Sequence, residues 1–254
     1  MRKIKRTLSL LLFITALLLS CNLEKSKPKL EQQNELISKN TPNADIKHIK
    51  PFNKALPTIG LLMYNGVLQS EIIATSDVFS KPDAVNGKPL FNVITIAETE
   101  NYIVTEEGMK FIPDYTFKNC PKLDALFIPS AYNMYAQVNN NNIVNFIREK
   151  NNETTYTISN CAGANLIGES GIAKGHKIVT WIGGGEELQK NYPDLLVQND
   201  SLVTYVKDGK FLSSNGNLAS YIPALNLLEI LTSKAQREFV ESYLYLNRLQ
   251  NWKK

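Results

Sequence analysis

The chain has 254 residues, 43% hydrophobic and 20% charged, so it can bury a sizeable core and is not a coiled coil, a collagen-like repeat or a disordered chain. Its formal net charge is +4, but Arg2, Lys3, Lys5 and Arg6 supply that excess, and the chain beyond residue 20 is formally neutral. A neutral body argues against a nucleic-acid partner, and two distant histidines with no paired cysteines give no zinc spacing.

The first twenty residues form a separate unit. A basic stretch, MRKIKR, precedes a short apolar run, LSLLLFITALLLS. The run is shorter than the ~20 residues that a membrane span needs, and it reads as a secretory signal over residues 1–20. It ends in LLLSC, which resembles the lipobox of bacterial lipoproteins, with Leu18 and Ser20 before the cut and Cys21 to carry the lipid. The resemblance implies a cell-envelope protein held on a membrane surface through Cys21 rather than one that crosses it. Residues 21–55 are polar and nearly free of aromatics, and they are expected to form a tether.

From Pro57 the texture changes, and residues 56–254 read as one domain. TIGLLMY is an apolar strand, followed by an amphipathic stretch from Leu68 to Phe79. LFNVITIAE is a second strand, and YIVTEEGMKFIPDYTF a hairpin turning at Glu107–Gly108. DALFIPSA is a third strand, and NNNIVNFIREKN a helix with Ile143, Val144 and Ile147 on one face. TTYTIS is a fourth strand leading into Cys161, and HKIVTWI a fifth. GEELQKNYP is a short helix, and three short β segments follow. Leu218 to Leu249 reads as one long helical pattern with a kink at Pro223.

Strands apolar on both faces and separated by helices argue for a mostly parallel sheet covered on both sides. Sites in such sheets lie beyond the carboxyl ends of the strands, which is where Cys161 falls. A thiol on a strand-to-helix turn meets unpaired N–H groups and the helix dipole, a reason to expect a lowered pKa and a nucleophilic thiolate. Ala162, Gly163 and Ala164 are small enough to let the helix approach the sheet. The alternative is an inert, buried thiol.

Several blocks in this order resemble the ThiJ/PfpI superfamily: TIGLLMYNGVLQSEIIATSDVFS, SNCAGANLIGESGIAKGHKIVTW, YPDLLVQND and DGKFLSSNG. That family has the class I glutamine amidotransferase-like fold, a flavodoxin-like α/β three-layer sandwich with a nucleophile-elbow cysteine. The resemblance implies that Cys161 is the elbow cysteine. It implies that Glu71 is a protonated acid on the first helix that hydrogen-bonds it. Main-chain N–H groups near Ser130, Ala131 and Ala162 would face an oxyanion, although relatives often have Gly-Gly where Ser130 and Ala131 stand. Trp181 and the loop Gly183–Glu187 would line the pocket mouth. No cofactor is implied, and a homodimer is expected.

The histidine of many relatives is missing. Ala162 follows the cysteine, Trp181 stands after the fifth strand, and His176 lies at that strand's start, far from Cys161. Cysteine-histidine proteolysis is therefore disfavoured. Two readings stay open. One is a cysteine-dependent hydrolase, hydratase or glyoxalase-like enzyme acting on a small molecule. The other is a ligand-binding or oxidative-stress-sensing module of the same fold without turnover.

Overall fold

The first apolar run becomes β1 (Thr58–Leu62), with every residue buried. In the computed structural model, which describes residues 51–249, the chain continues through α1 (Gln69–Phe79) and β2 (Asn92–Ala97). A small hairpin of β3 (Ile103–Val104) and β4 (Lys110–Phe111) follows, then β5 (Tyr115–Thr116), β6 (Ala125–Ile128), α2 (Tyr135–Val138) and α3 (Asn141–Glu153). β7 (Tyr156–Asn160) ends in a 3-10 turn, Cys161–Gly163, that opens α4 (Ala164–Ser170). Next come β8 (Lys177–Ile178), α5 (Gly185–Asn191), β9 (Leu196–Val197), β10 (Tyr205–Asp208) and β11 (Phe211–Ser214). A second 3-10 turn, Asn217–Ser220, leads to α6 (Tyr221–Leu231), α7 (Lys234–Tyr243) and α8 (Leu246–Leu249). The leader, Cys21 and the tether up to residue 50 lie outside the described residues.

Seven strands form the main sheet in the order β10-β11-β7-β6-β1-β2-β5. All its pairings are parallel except β10 with β11. The central strands β1 and β6 are buried along their whole length, as a sheet covered on both faces requires. Helices flank it in two groups, α1 with α6 and α7, and α3 with α4. The architecture is a flavodoxin-like α/β sandwich. Phe79 anchors the core under α1, edge-on to both Phe91 and Phe127.

Three expectations need correction. The run HKIVTWI keeps only Lys177 and Ile178 as a strand, and it pairs with β9 in a separate two-stranded sheet. Side chains draw its later residues away from a ladder: Val179 N–H donates to Ser213 Oγ at 2.9 Å, and Thr180 Oγ1 donates to the Cys161 carbonyl at 2.8 Å. The tail is three helices rather than one. Thr232 leaves helical geometry at φ −134°, ψ −95°, and the Ser233 side chain caps a new helix by accepting from Gln236 N–H. Pro223 lies in the first turn of α6, where its missing N–H has no intrahelical partner to lose.

The compact unit begins at Phe52, ahead of the expected boundary at 56. Asn92 is the reason: its amide donates to the carbonyls of Asn53 and Leu56, and its Oδ1 accepts from Asn53 N–H. The expected hairpin forms, with Ile103 opposite Phe111 and Val104 opposite Lys110. Cys120 and Cys161 are both free thiols.

Candidate functional site

Three chain ends meet at the carboxyl edge of the sheet. The first follows β7. Cys161 has φ +50°, in the left-handed region that a side chain enters at a cost of about 1 kcal/mol. That backbone turns the chain directly from strand into helix. Gly163 makes the close approach possible: a Cβ there would lie 2.4 Å from the Ile128 carbonyl oxygen and 2.7 Å from that of Pro129. The sequence expectation of small residues at this turn thus has a definite cause, contact between the 3-10 turn and the backbone leaving β6.

The second chain end follows β1. A single antiparallel bridge, Val67 to Ala131, and the bond from Leu68 N–H to the Ser130 carbonyl at 2.8 Å tie the start of α1 to the loop after β6. Glu71 therefore arrives beneath Ser130, 1% exposed. Its Oε2 accepts from Ser130 N–H at 2.7 Å. Its Oε1 accepts from Ser130 Oγ at 3.0 Å and from Asn217 N–H at 3.1 Å.

The third chain end follows β11. Gly216 sits at φ +85°, ψ −167°, a region open in practice to glycine alone. A Cβ there would meet Cys161 Cβ at 2.2 Å and Glu71 Oε1 at 2.4 Å. Gly216 thus packs against both side chains, and the next residue supplies the Asn217 N–H that holds the carboxyl.

Burial pushes the Glu71 pKa up to about 7, because the charge it would carry is desolvated more strongly than Ser130 and Asn217 stabilise it. Burial also pushes the Cys161 thiol up, followed by the nearby Glu71 charge, while hydrogen bonds from the Ser130 hydroxyl and Ala162 N–H act the other way. This reverses the expectation of a lowered thiol pKa. The helix after Cys161 is short and the sulfur is half-buried, so desolvation outweighs the dipole.

The Ser130 hydroxyl donates to the Glu71 carboxyl and is near enough to the Cys161 sulfur to favour its thiolate, so it stands between the two groups. Its main-chain N–H is spent on Glu71, and Ser130 is therefore not the free oxyanion donor that the sequence suggested. Ala131 N–H donates to the Met134 sulfur at 3.2 Å, a weak acceptor that a ligand oxygen can displace. Ala162 N–H points at the Cys161 sulfur. Behind them, buried Tyr64 donates its hydroxyl to the Pro129 carbonyl, with Met134 Sδ 3.8 Å from the same oxygen, bracing this loop.

Cys161, Ala131, Ala162 and Trp181 line one cavity of about 1050 Å³, with Gly216 and Asn217 on its wall. Of the loop Gly183–Glu187 only Glu187 lines this cavity, beside Trp181 and Ile182, while its glycines face Asp200 and the Trp181 ring. Gly183 and Gly185 N–H donate to the Asp200 carboxylate at 3.1 and 2.6 Å, and these bonds with one from Gly184 hold its pKa below the usual range. Trp181 lies against Gly184, where a Cβ would come within 1.9 Å of the ring. His176 is distant from the site: it pairs with Asp208 at 3.4 Å and packs on Phe211. Among the described residues, no three His, Cys, Asp or Glu side chains gather as a metal site.

Sequence reasoning missed Gly216, Asn217, Tyr64, Met134 and Asp200. The Asn-Gly pair after β11 and the tyrosine just past the end of β1 were the available signals.

The DJ-1/PfpI family model matches residues 57–230. An isonitrile hydratase of Pseudomonas putida is 25% identical over 191 residues, covering 73% of this chain and 77% of that one. Among solved structures, a THiJ/PfpI family protein from Pseudomonas syringae superposes with a TM-score of 0.66 at 18% identity, over 78% of this chain and 82% of its own. Drosophila melanogaster DJ-1beta does so with 0.64 at 17% identity, over 75% and 98%. The match over most of the chain, which includes the turn that carries Cys161, places the protein in the DJ-1/PfpI family.

Proposed function

We propose that this protein is a cysteine-dependent enzyme that adds its thiol to a small carbon electrophile, with hydration of an isonitrile as the leading reaction. The observation that carries the reading is the pair of Cys161, in the lining of a large cavity, and Glu71, buried behind it. The reaction fits the missing histidine. Hydrolysis of an amide needs a group that activates a nucleophile and then protonates a leaving amine. Addition to an isonitrile expels nothing in its first step.

In that step the Cys161 sulfur bonds to the terminal carbon, and the thiol proton reaches the same carbon, giving a thioformimidate. Water then adds to this carbon, the nitrogen takes a proton, and the C–S bond breaks to release a formamide and restore the thiol. A carboxyl with a pKa of about 7 serves both directions, since at neutral pH it is present in both protonation states. The Ser130 hydroxyl is the route between carboxyl and sulfur. The distant hydratase relative supports the reaction class.

The test is to incubate the protein with alkyl and aryl isonitriles and follow formamide by mass spectrometry. Turnover that is lost in Cys161→Ala and falls at least a hundredfold in Glu71→Gln is expected. Ligand binding without turnover in the wild type would replace this reading with the binding or redox-sensing module. We also propose that Cys21 carries a lipid and that the domain pairs as a homodimer. Radiolabelled palmitate incorporation lost in Cys21→Ser, and a dimer mass by light scattering, are the expected results.

A further inference from the structure

The cavity has a distinctive charge balance. Among the described residues that line it, the ionisable side chains are Cys161, Glu187 and tyrosine phenols, and no lysine, arginine or histidine is present. Glu187 stands at the mouth, and the Glu71 carboxyl lies behind the sulfur. The rim is apolar and unusually open: Tyr132 is 76%, Tyr135 75%, Ile182 68% and Leu218 71% exposed. Trp181 adds a flat face held by Gly184.

The remaining polar side chains are amides and the Thr204 hydroxyl. Asn165 and Asn215 spend their N–H groups on the carbonyls of Ala162 and Thr180, leaving Oδ1 as the unspent end of each. Asn133 and Asn217 have Oδ1 engaged, by Tyr135 N–H and Ser70 Oγ, and keep N–H donors. Such groups can replace the hydration of neutral polar atoms. They cannot replace that of an anion, which would lose water here without meeting a cation.

We infer that the site takes uncharged or positively charged organic molecules with an apolar or aromatic body and turns anions away. The inference rests on the reading that Cys161 is the reacting group. Aromatic faces and a carboxylate both favour a cation, and the apolar rim favours a hydrocarbon body.

The experiment compares three methanethiosulfonates on the full chain: a neutral methyl, a cationic trimethylammonioethyl and an anionic sulfonatoethyl reagent. In each case the thiolate attacks the thiosulfonate sulfur, an S–S bond forms and methanesulfinate leaves. Peptide-resolved mass spectrometry reads Cys161 apart from Cys120 and Cys21, and each rate is divided by that of free 2-mercaptoethanol. The anionic reagent is expected to be at least tenfold slower than the cationic one, with the gap narrowed in Glu187→Gln. Equal normalised rates, or a faster anion, would overturn the inference and leave the nucleophile standing.

Modification by none of the three would instead sink the nucleophile. Trp181 then decides the charge question independently. With Trp252→Phe it is the sole indole, and caesium is expected to quench it at least threefold better than iodide, each relative to N-acetyltryptophanamide. Iodide quenching equal to or above that of caesium would overturn the inference.

Discussion

Glu71 makes the fold's stability depend on pH in a way that a single substitution removes. Its pKa is about 7 in the folded protein against 4.5 when free. The folded state therefore binds more protons than the unfolded state between those values, and stability falls as pH rises through the window. The favourable contribution of the neutral carboxyl is complete below about pH 4.5 and gone once pH has passed well above 7. A gap of this size corresponds to about 3 kcal/mol at 1.36 kcal/mol per unit. Glu71→Gln cannot ionise, so its stability should not decline across the window. The glutamine also meets Ser130 and Asn217 N–H groups with one acceptor oxygen rather than two, a cost of about 1–3 kcal/mol at every pH. The variant should thus be the less stable of the two at pH 5, and the two curves should cross as pH rises, leaving the variant equal to or more stable than the wild type at pH 8.5. Urea unfolding midpoints at half-unit intervals from pH 5 to 8.5, followed by far-UV circular dichroism, measure both curves. A flat wild-type curve, or an equal slope in the variant, would falsify the assignment of the proton to Glu71.

Other perturbations test the surrounding geometry. Gly216→Ala should lower the melting temperature by about 5 °C or more, since the added methyl meets both Cys161 and Glu71 in a glycine-only conformation; an unchanged melt would contradict that packing. Ser130→Ala removes a contact that stabilises the thiolate, so the pH profile of Cys161 alkylation by iodoacetamide should move up, with about tenfold slower reaction at pH 8 as expected for losing a hydrogen bond to a charged group. An unmoved profile would disconnect the hydroxyl from the sulfur. Asp200→Asn should release the Gly183–Gly185 loop and red-shift the emission of Trp181, measured in the Trp252→Phe background; a superimposable spectrum would show that the loop holds its shape without the charge.

The parts of the fold most legible in the sequence were those whose two faces are both buried. β6 announces itself because apolar residues occupy every position, β1 nearly so, and β7 is read from the alternation of Tyr156 and Ile158 with polar residues. The misread run at His176–Ile182 is also rich in apolar residues, yet its backbone leaves the sheet: Val179 N–H donates to the side chain of Ser213, far away in sequence, and Thr180 of the run itself donates its hydroxyl to the Cys161 carbonyl. The tail was misread for a similar reason, since the break at Thr232 depends on a cap one residue later rather than on a loss of helical periodicity. In the site, Cys161 and Glu71 could be named from a pattern. The direction of the thiol shift could not, because it is set by desolvation that only packing reveals. Ser130 carries the same lesson: the residue was identified, but its N–H proved to serve the carboxyl rather than a ligand.

The glycine loop beside Trp181 has a consequence of its own. Consecutive glycine amides converging on one point are the usual receptor for a phosphate or another external anion. Here the chain contributes the guest as well as the host, because the Asp200 carboxylate fills the nest. With that guest in place the loop acts as a brace. Its glycines answer to the shape of a neighbouring residue instead of to a substrate, and the same three letters in a sequence mean ligand or scaffold according to who owns the negative charge.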